Sequence, residues 1–150
     1  MSQIEIVKTQ DTEIGEQQKQ EIINLIISNN FTCGNSLPKE ALIATFEGKV
    51  VGYLGYNYTY GANAYVFVFV VTYITRNLGV GSALIKALVE QCQKNNIKRI
   101  EAIVDYDSKK AIDMYEKLNV SLKPVLYIEA NVDDLSLMLK QNSWIELTFS

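Results

Sequence analysis

A mixed α/β sheet with helices on both faces is the fold class that the sequence predicts, and three observations predict it. The turn signals Glu47-Gly48-Lys49 and Gly61-Ala62-Asn63 stand between strand-like runs, so the first half reads as an antiparallel meander. The run Tyr65 to Val71 is β-branched or aromatic at every position, the pattern of a central strand buried on both faces. A helical pattern and a further strand follow it. That order demands a parallel pairing through a right-handed crossover.

The elements follow in order. Ile4 and Ile6 alternate with polar neighbours and predict a short strand. Thr12 to Asn29 carries Ile14, Ile22, Leu25 and Ile26 at helical spacing, and Asn29-Asn30 ends it. Residues 31–40 read as a loop. Ala41 to Glu47 and Val50 to Tyr58 are two strands of a hairpin, followed by Tyr65 to Val71. Leu78 to Gln93 is a helix with Ala83, Leu84, Ala87, Leu88 and Cys92 on one side, stopped by Asn95-Asn96. Ile100, Ala102 and Val104 mark a strand, and Asp107 to Lys117 a helix with Ala111, Tyr115 and Leu118 on one face. Val125 to Glu129 reads as a strand. Asn131 caps a short helix whose first turn holds Asp133 and Asp134, where the helix dipole favours acids. Trp144 to Phe149 alternates as a last strand.

The chain's 150 residues are the length of a single domain. A chain this long buries roughly 68–70% of its unfolded surface, enough for a core without disulfide or metal. The residues are 48% apolar and 21% charged, which is not a disordered composition. No apolar run reaches the ~18 residues of a membrane span, and the first residues lack the marks of a signal peptide. The expected location is cytoplasmic, with no membrane partner. A net charge of −3 argues against a nucleic-acid partner and mildly for a cationic one. With no histidine in the chain, histidine triads and histidine metal sites are excluded. Cys33 and Cys92 form no C-x-x-C pair, so no metal site is expected. Cys92 falls on an apolar helical face and reads as a core thiol; Cys33 lies in a loop with no histidine to activate it.

The chemistry concentrates in Thr75-Arg76-Asn77-Leu78-Gly79-Val80-Gly81-Ser82, between the most apolar strand and the helix after it. Gly79 and Gly81 keep side chains away from the outward-pointing amides of a helix's first turn. That turn carries unsatisfied N–H groups and partial positive charge, a cradle for phosphate or pyrophosphate. No Gly-Lys-Ser/Thr follows, so it is not a Walker loop, and Leu84 rules out the dinucleotide G-x-G-x-x-G. The plainer alternative is a pair of glycines that lets a helix pack close to a strand.

This segment resembles motif A of the GNAT (acyl-CoA N-acyltransferase) superfamily, Gln/Arg-x-x-Gly-x-Gly/Ala after a buried strand, filled here by Arg76, Gly79 and Gly81. Ser108-Lys-Lys-Ala111-Ile-Asp-Met-Tyr115-Glu-Lys-Leu118-Asn-Val resembles motif B, in which Asn-x-x-Ala-x-x-x-Tyr-Glu-Lys-Leu-Gly-Phe is usual. The element order is similar to that fold over nearly the whole chain, so the resemblance implies a single N-acetyltransferase domain over 1–150.

The resemblance implies a site. The strands near 65–71 and 98–104 splay apart, and acetyl-CoA, the expected co-substrate, enters the gap. Its pantetheine arm pairs with the backbone of Phe69, Val70 and Val71. Its pyrophosphate takes the amides of Asn77, Leu78, Gly79, Val80, Gly81 and Ser82, beside Arg76. Val71 N–H polarises the thioester carbonyl. Ser108 stands at the usual asparagine of motif B. Tyr115 falls on the family's general acid for the departing thiolate. The physics agrees, since a phenol with a pKa of about 10 stays protonated near neutrality while a thiol ionises near 8.5. A core tyrosine and plain core strand residues are the alternatives.

Departures from the pattern bear on the reaction. Ser108 has a shorter reach than asparagine. Asn119-Val120 replaces Gly-Phe, and Asn119 tolerates the left-handed cap that glycine would take. Ile103 stands where protein N-terminal acetyltransferases often carry glutamate. Glu101, Asp105, Tyr58, Tyr60 and Tyr73 are other base candidates, with a water chain as the alternative. The implied function is transfer of an acetyl group to a primary amine by direct attack. A small-molecule amine and a peptide α-amine compete as acceptor. A non-catalytic acyl-CoA-binding module is a third reading, favoured by Ile103 and Ser108. A homodimer is left open. Acceptor loops are expected near 29–40 and 56–64, and Tyr53, Tyr56, Tyr58 and Tyr60 read as one aromatic face.

Overall fold

The structure, a computed structural model, describes residues 3–9, 12–29, 40–105, 107–126 and 128–141, with the backbone alone at Ile74, Arg76 and Asn77. Two compact units divide the chain, Met1–Asp105 and Tyr106–Ser150.

In the first unit a five-stranded sheet runs β1 (Ile4–Lys8), β2 (Ala41–Phe46), β3 (Lys49–Thr59), β4 (Asn63–Val71) and β5 (Arg99–Ala102), in that spatial order. The first three pairings are antiparallel and β4–β5 is parallel. The β2–β3 hairpin turns through Glu47 and Gly48, at φ 52° and 79°. Two successive residues at positive φ match the right-handed twist of the flanking strands.

One helix covers each face. Helix α1 (Glu16–Ser28) buries Ile22, Leu25 and Ile26 against Ala41, Ile43, Tyr53 and Val70. Helix α2 (Val80–Lys94) buries Val80, Leu84, Leu88 and Cys92 against Leu42, Ala44, Leu54, Tyr56, Ala64 and Val66. Neighbours such as Leu42 and Ile43 go to opposite clusters because strand side chains alternate. Glu21 of α1 also accepts a hydrogen bond from the Val50 amide at 2.9 Å, fastening the helix to β3. Helix α2 ends as the asparagines predict. Asn96 takes φ 57°, and Ile97 N–H reaches back to the Cys92 carbonyl at 2.8 Å.

Two bulges interrupt the register. Ala44 faces Gly52 while Thr45 faces Val50, which leaves Val51 as the extra residue of β3. Gly55 faces Val68 while Tyr56 faces Val66, which leaves Phe67 extra in β4. The second bulge changes the phase of β4. Ala64 and Val66 join the α2 cluster, then Val68 and Val70 join the α1 cluster, with Phe69 and Val71 returning to α2.

Four expectations need correction. β4 is not buried on both faces along its length: only Ala64, Val66 and Val70 are buried, the others being partly exposed. β5 stops at Ala102, short of Val104, and none of its residues is buried. The tyrosines do not form one face. An odd step separates Tyr53 from Tyr56, so Tyr53 packs with α1, Tyr56 and Tyr58 with α2, and Tyr60 is 100% exposed in the turn. That turn lies at the end of β4 opposite Val71.

Among the described residues of the second unit, α3 (Lys109–Lys117) and α4 (Val132–Gln141) are the elements formed. Asn119 closes α3 at φ 55°, the left-handed position expected of it. Asn131 Oδ1 accepts from the amides of Asp133 and Asp134 at 3.0 and 3.2 Å, the predicted cap. The expected strand at Val125 to Glu129 is the fourth correction. Its described residues form no strand, and Leu126 is 93% exposed. A strand needs a partner edge, and none of the described residues pairs with it. Trp144 to Phe149, and residues 31–39 with Cys33, lie outside the described residues.

Candidate functional site

The site's first part is the end of β4. Its parallel register with β5 runs from Asn63↔Arg99 to Val66↔Ala102 and goes no further, while β4 continues to Val71. The antiparallel register with β3 continues to Gly52↔Val71. Thr72 N–H donates to Val51 O at 2.8 Å, on the β3 side. Backbone polar groups alternate in direction along a strand. The amides and carbonyls of Phe69 and Val71 therefore point to the opposite edge, the side that β5 has left. β5 ends at Ala102, while β4 runs on to Val71.

The second part is the turn into α2. The Thr72 and Thr75 hydroxyls hydrogen-bond each other, and Thr75 N–H donates to Thr72 O at 3.2 Å. They fold the chain into a short 3-10 helix over Tyr73–Leu78. Arg76, Asn77 and Leu78 lie in this 3-10 helix, whereas the sequence puts Leu78 in the α-helix. Gly79 then takes φ 79°, a left-handed conformation that side-chain-bearing residues rarely adopt. The first α-helical bond joins Ala83 N–H to Gly79 O at 3.0 Å. The amides of Val80, Gly81 and Ser82 precede it and have no i−4 acceptor within the helix. A Cβ on Gly81 would lie 3.5 Å from the Phe69 ring and 3.9 Å from Val71 Cγ2. The first turn of α2 thus rests beside the end of β4. A row of amides with the dipole's positive end adjoins a strand edge, so the two can take an anionic group and an extended amide-bearing chain together.

The titratable candidates are distributed as follows. Tyr115 lies on α3, half-buried, and burial pushes its phenol up from its ordinary value of 10.0. Ser108 is the N-cap of α3 and makes no side-chain cap bond; its carbonyl accepts from Ile112 N–H at 3.0 Å. Both belong to the second unit. Among the base candidates, Glu101 is exposed and pairs with Arg99 at 3.2 Å. Asp105 and Ile103 are exposed. Tyr58 OH accepts from Asn95 at 3.2 Å, at the hairpin end of the sheet. Cys92 is buried, and burial pushes its thiol up, which makes it unreactive. Among the described residues no group of acidic or cysteine side chains is placed to hold a metal ion.

Sequence reasoning passed over Gly52, Gly55 and Phe67. A Cβ on Gly55 would lie 2.9 Å from the ring of Phe67, the bulged residue. Gly52 sits equally close to α2. Isolated glycines inside a strand pattern signal bulges or close approaches. Val51-Gly52-Tyr53-Leu54-Gly55 carries that signal twice.

Comparison with known proteins places this geometry. The model of the acetyltransferase (GNAT) family matches residues 8–119. No curated protein matches the chain. Among solved structures, it is similar to an aminoglycoside acetyltransferase from an uncultured soil metagenomic sample, at TM-score 0.69 and 18% identity over 87% of this chain and 96% of that one. It is similar to Ard1 from Thermoplasma volcanium at TM-score 0.68 and 21% identity, over 81% and 84%. It is also similar to a ribosomal-protein-alanine N-acetyltransferase from Brucella melitensis biovar Abortus 2308, at TM-score 0.68 and 16% identity, over 85% and 99%. At these identities the likeness is one of fold. The family match covers most of the chain and includes both glycines of the cradle, and on that ground the chain belongs to the GNAT acetyltransferase family.

Proposed function

We propose that the chain is an acetyl-CoA-dependent N-acetyltransferase acting as one catalytic domain, with a primary amine as acceptor. One observation carries the reading. The strand that β5 leaves at Val66 runs on to Val71 and leads, through Thr72–Gly79, into the amide-rich start of α2. Pantetheine would pair along Phe69, Val70 and Val71. The diphosphate would sit on the amides of Asn77 to Ser82, with Arg76 and Ser108 as further cofactor contacts. In the reaction the amine lone pair attacks the thioester carbonyl. Val71 N–H would polarise it; such a donor contributes roughly 2.7–4 kcal/mol to a transition state. The C–S bond breaks, and the thiolate takes the Tyr115 hydroxyl proton. The attacking nitrogen loses its proton to water, and the solvent returns a proton to the Tyr115 phenolate. Burial raises the Tyr115 pKa, so the phenol stays a proton donor throughout the neutral range and above it.

The acceptor class follows from the bases. Glu101 is engaged by Arg99 and the other candidates are exposed or hydrogen-bonded at the far hairpin. That arrangement favours an amine that deprotonates readily. An α-amine near pKa 8 is about a tenth neutral at pH 7, whereas a lysine amine near 10.4 is almost wholly charged. A peptide or small-molecule α-amine is therefore the preferred acceptor.

Two measurements test the reading. CoA titration by calorimetry should give a saturable site, and thiol release from acetyl-CoA should depend on added amine. Binding without turnover across a broad amine panel would make the chain a non-catalytic acyl-CoA module. Absence of binding would remove the assignment altogether. Tyr115→Phe keeps the ring and loses the proton donor, so kcat should fall by roughly 10²–10⁴-fold. Its CoA affinity should change by less than about tenfold. Turnover within about threefold of the parent would remove the general-acid role.

A further inference from the structure

Resting on the acyl-CoA reading, we propose that Gly52 is a positioning residue for the diphosphate cradle. It sets how closely the first turn of α2 approaches the sheet. Gly52 does not owe its place to backbone conformation, since among the described glycines only Gly48, Gly61 and Gly79 have positive φ. Space is the reason. A Cβ there would lie 2.8 Å from Val80 Cγ1, 2.9 Å from Leu84 Cδ1 and 3.4 Å from Ala44 Cβ.

The two closest atoms do not yield equally. Leu84 Cδ1 is the far end of a flexible side chain and can swing aside. Val80 is β-branched, fully buried and the first residue of a helix. Valine in a helix holds essentially one χ1 rotamer. A methyl group at position 52 therefore displaces the Val80 backbone. The displacement falls on the amides of Val80, Gly81 and Ser82, the cradle itself.

Gly52 also faces Val71 across the β3–β4 register. One residue thus lies under the cradle and beside the strand edge. β4 is held by its ladder to β3, whereas the start of α2 meets the sheet only through packed side chains. A ligand that spans both parts needs them in register, and weakening an amide hydrogen bond to a charged diphosphate lowers affinity roughly ten- to hundredfold. The loss should appear in cofactor binding rather than in the chemical step, because the displaced amides would hold the diphosphate and carry no reacting atom.

The test is calorimetry with CoA, steady-state kinetics and a thermal melt on Gly52→Ala and on the double variant Gly52→Ala/Val80→Ala. For the single variant, the CoA Kd and acetyl-CoA KM should rise roughly ten- to hundredfold, with kcat at saturation within about threefold. The double variant removes the clashing Cγ1 and should return Kd to within about threefold of the parent. Unchanged CoA affinity in a folded Gly52→Ala protein overturns the proposal. So does a double variant that fails to fold, or folds and still binds weakly. If the single variant does not fold, the double variant decides by the same two outcomes. A parent protein that binds no CoA is a different result: it overturns the acyl-CoA reading, and this inference with it.

Discussion

The two halves of β4 are built from the same kind of residue and have different neighbours. From Asn63 to Val66 the strand is paired on both edges, antiparallel to β3 and parallel to β5. Ala64 and Val66 are buried in the α2 cluster there. From Val68 to Val71 the ladder to β3 continues and the ladder to β5 does not. Phe67 separates the halves as a bulge and turns the following side chains to the other phase. The first half spends its backbone on the sheet. The second directs backbone groups outward beside a helix start. Apolar sequence alone does not distinguish them, because the difference lies in where the neighbouring strand ends.

The sharpest way to break that comparison is at the open half. Gly81 holds the first turn of α2 beside Phe69 and Val71, with room for a Cβ at ordinary contact distance. Gly81→Glu places a carboxylate where the cradle would take a diphosphate. Like charges repel and the side chain fills the space, so CoA affinity should fall beyond about a hundredfold, more than about 2.7 kcal/mol. The melting temperature should change little, because the contact is not an overpacked one. Calorimetry on the folded variant measures the loss. Unchanged affinity would remove the diphosphate from this turn.

The closed half should answer with stability instead. Leu88 is buried in the cluster that contains Ala64 and Val66. Leu88→Ala removes that packing and leaves a cavity, at a cost of about 2–5 kcal/mol. Denaturant unfolding should show the loss, while the CoA Kd at low temperature stays within about threefold. A variant that lost CoA affinity as strongly as stability would show the two halves to be coupled, against the division drawn above.

How far this division was legible in the sequence differs from residue to residue. Gly79 is a local signal: it supplies a left-handed backbone and resides in the turn it controls, whereas Gly81 has ordinary room for a Cβ. The hairpin at Glu47-Gly48 and the caps at Asn119 and Asn131 are local in the same sense. The Phe67 bulge left no mark in its own strand, because a run with an apolar residue at every position has no phase to lose; its only signal is Gly55 on the facing strand. The extent of β5 was misjudged for a related reason. Ile103 and Val104 continue the pattern of a strand, but a strand ends where its partner's pairing ends. Val125 to Glu129 shows the same limit, since none of the described residues gives it a paired edge. The tyrosines were a matter of parity: Tyr53 stands an odd number of residues from Tyr56, and side-chain direction has a period of two. The role proposed for Tyr115 rests on the family pattern alone. Its helix face would suit a core residue equally well.

The smallest expected effect sits at the far end of α2, where Cys92 lies against the closed half. Cys92 is 4% exposed and burial holds its thiol pKa above the ordinary value. The sign of the linkage follows. The unfolded thiol ionises near about 8.5. The folded one does not until higher pH, so between those two points the unfolded state binds fewer protons than the folded state. Stability is then fully present below the unfolded value and declines as pH rises toward the folded one. Melting temperatures measured from pH 7.5 to 9.5 should fall, and the fall should be shallower in Cys92→Ala, whose pH-independent stability is lower because a buried side chain has been shortened. CoA affinity should keep the same pH dependence in both proteins, since nothing at the open half titrates with this thiol. Parallel melting curves for the two would show that Cys92 ionises alike in both states. A thiol reagent that modified native Cys92 rapidly would lead to the same conclusion, because only the thiolate reacts and burial is what suppresses it.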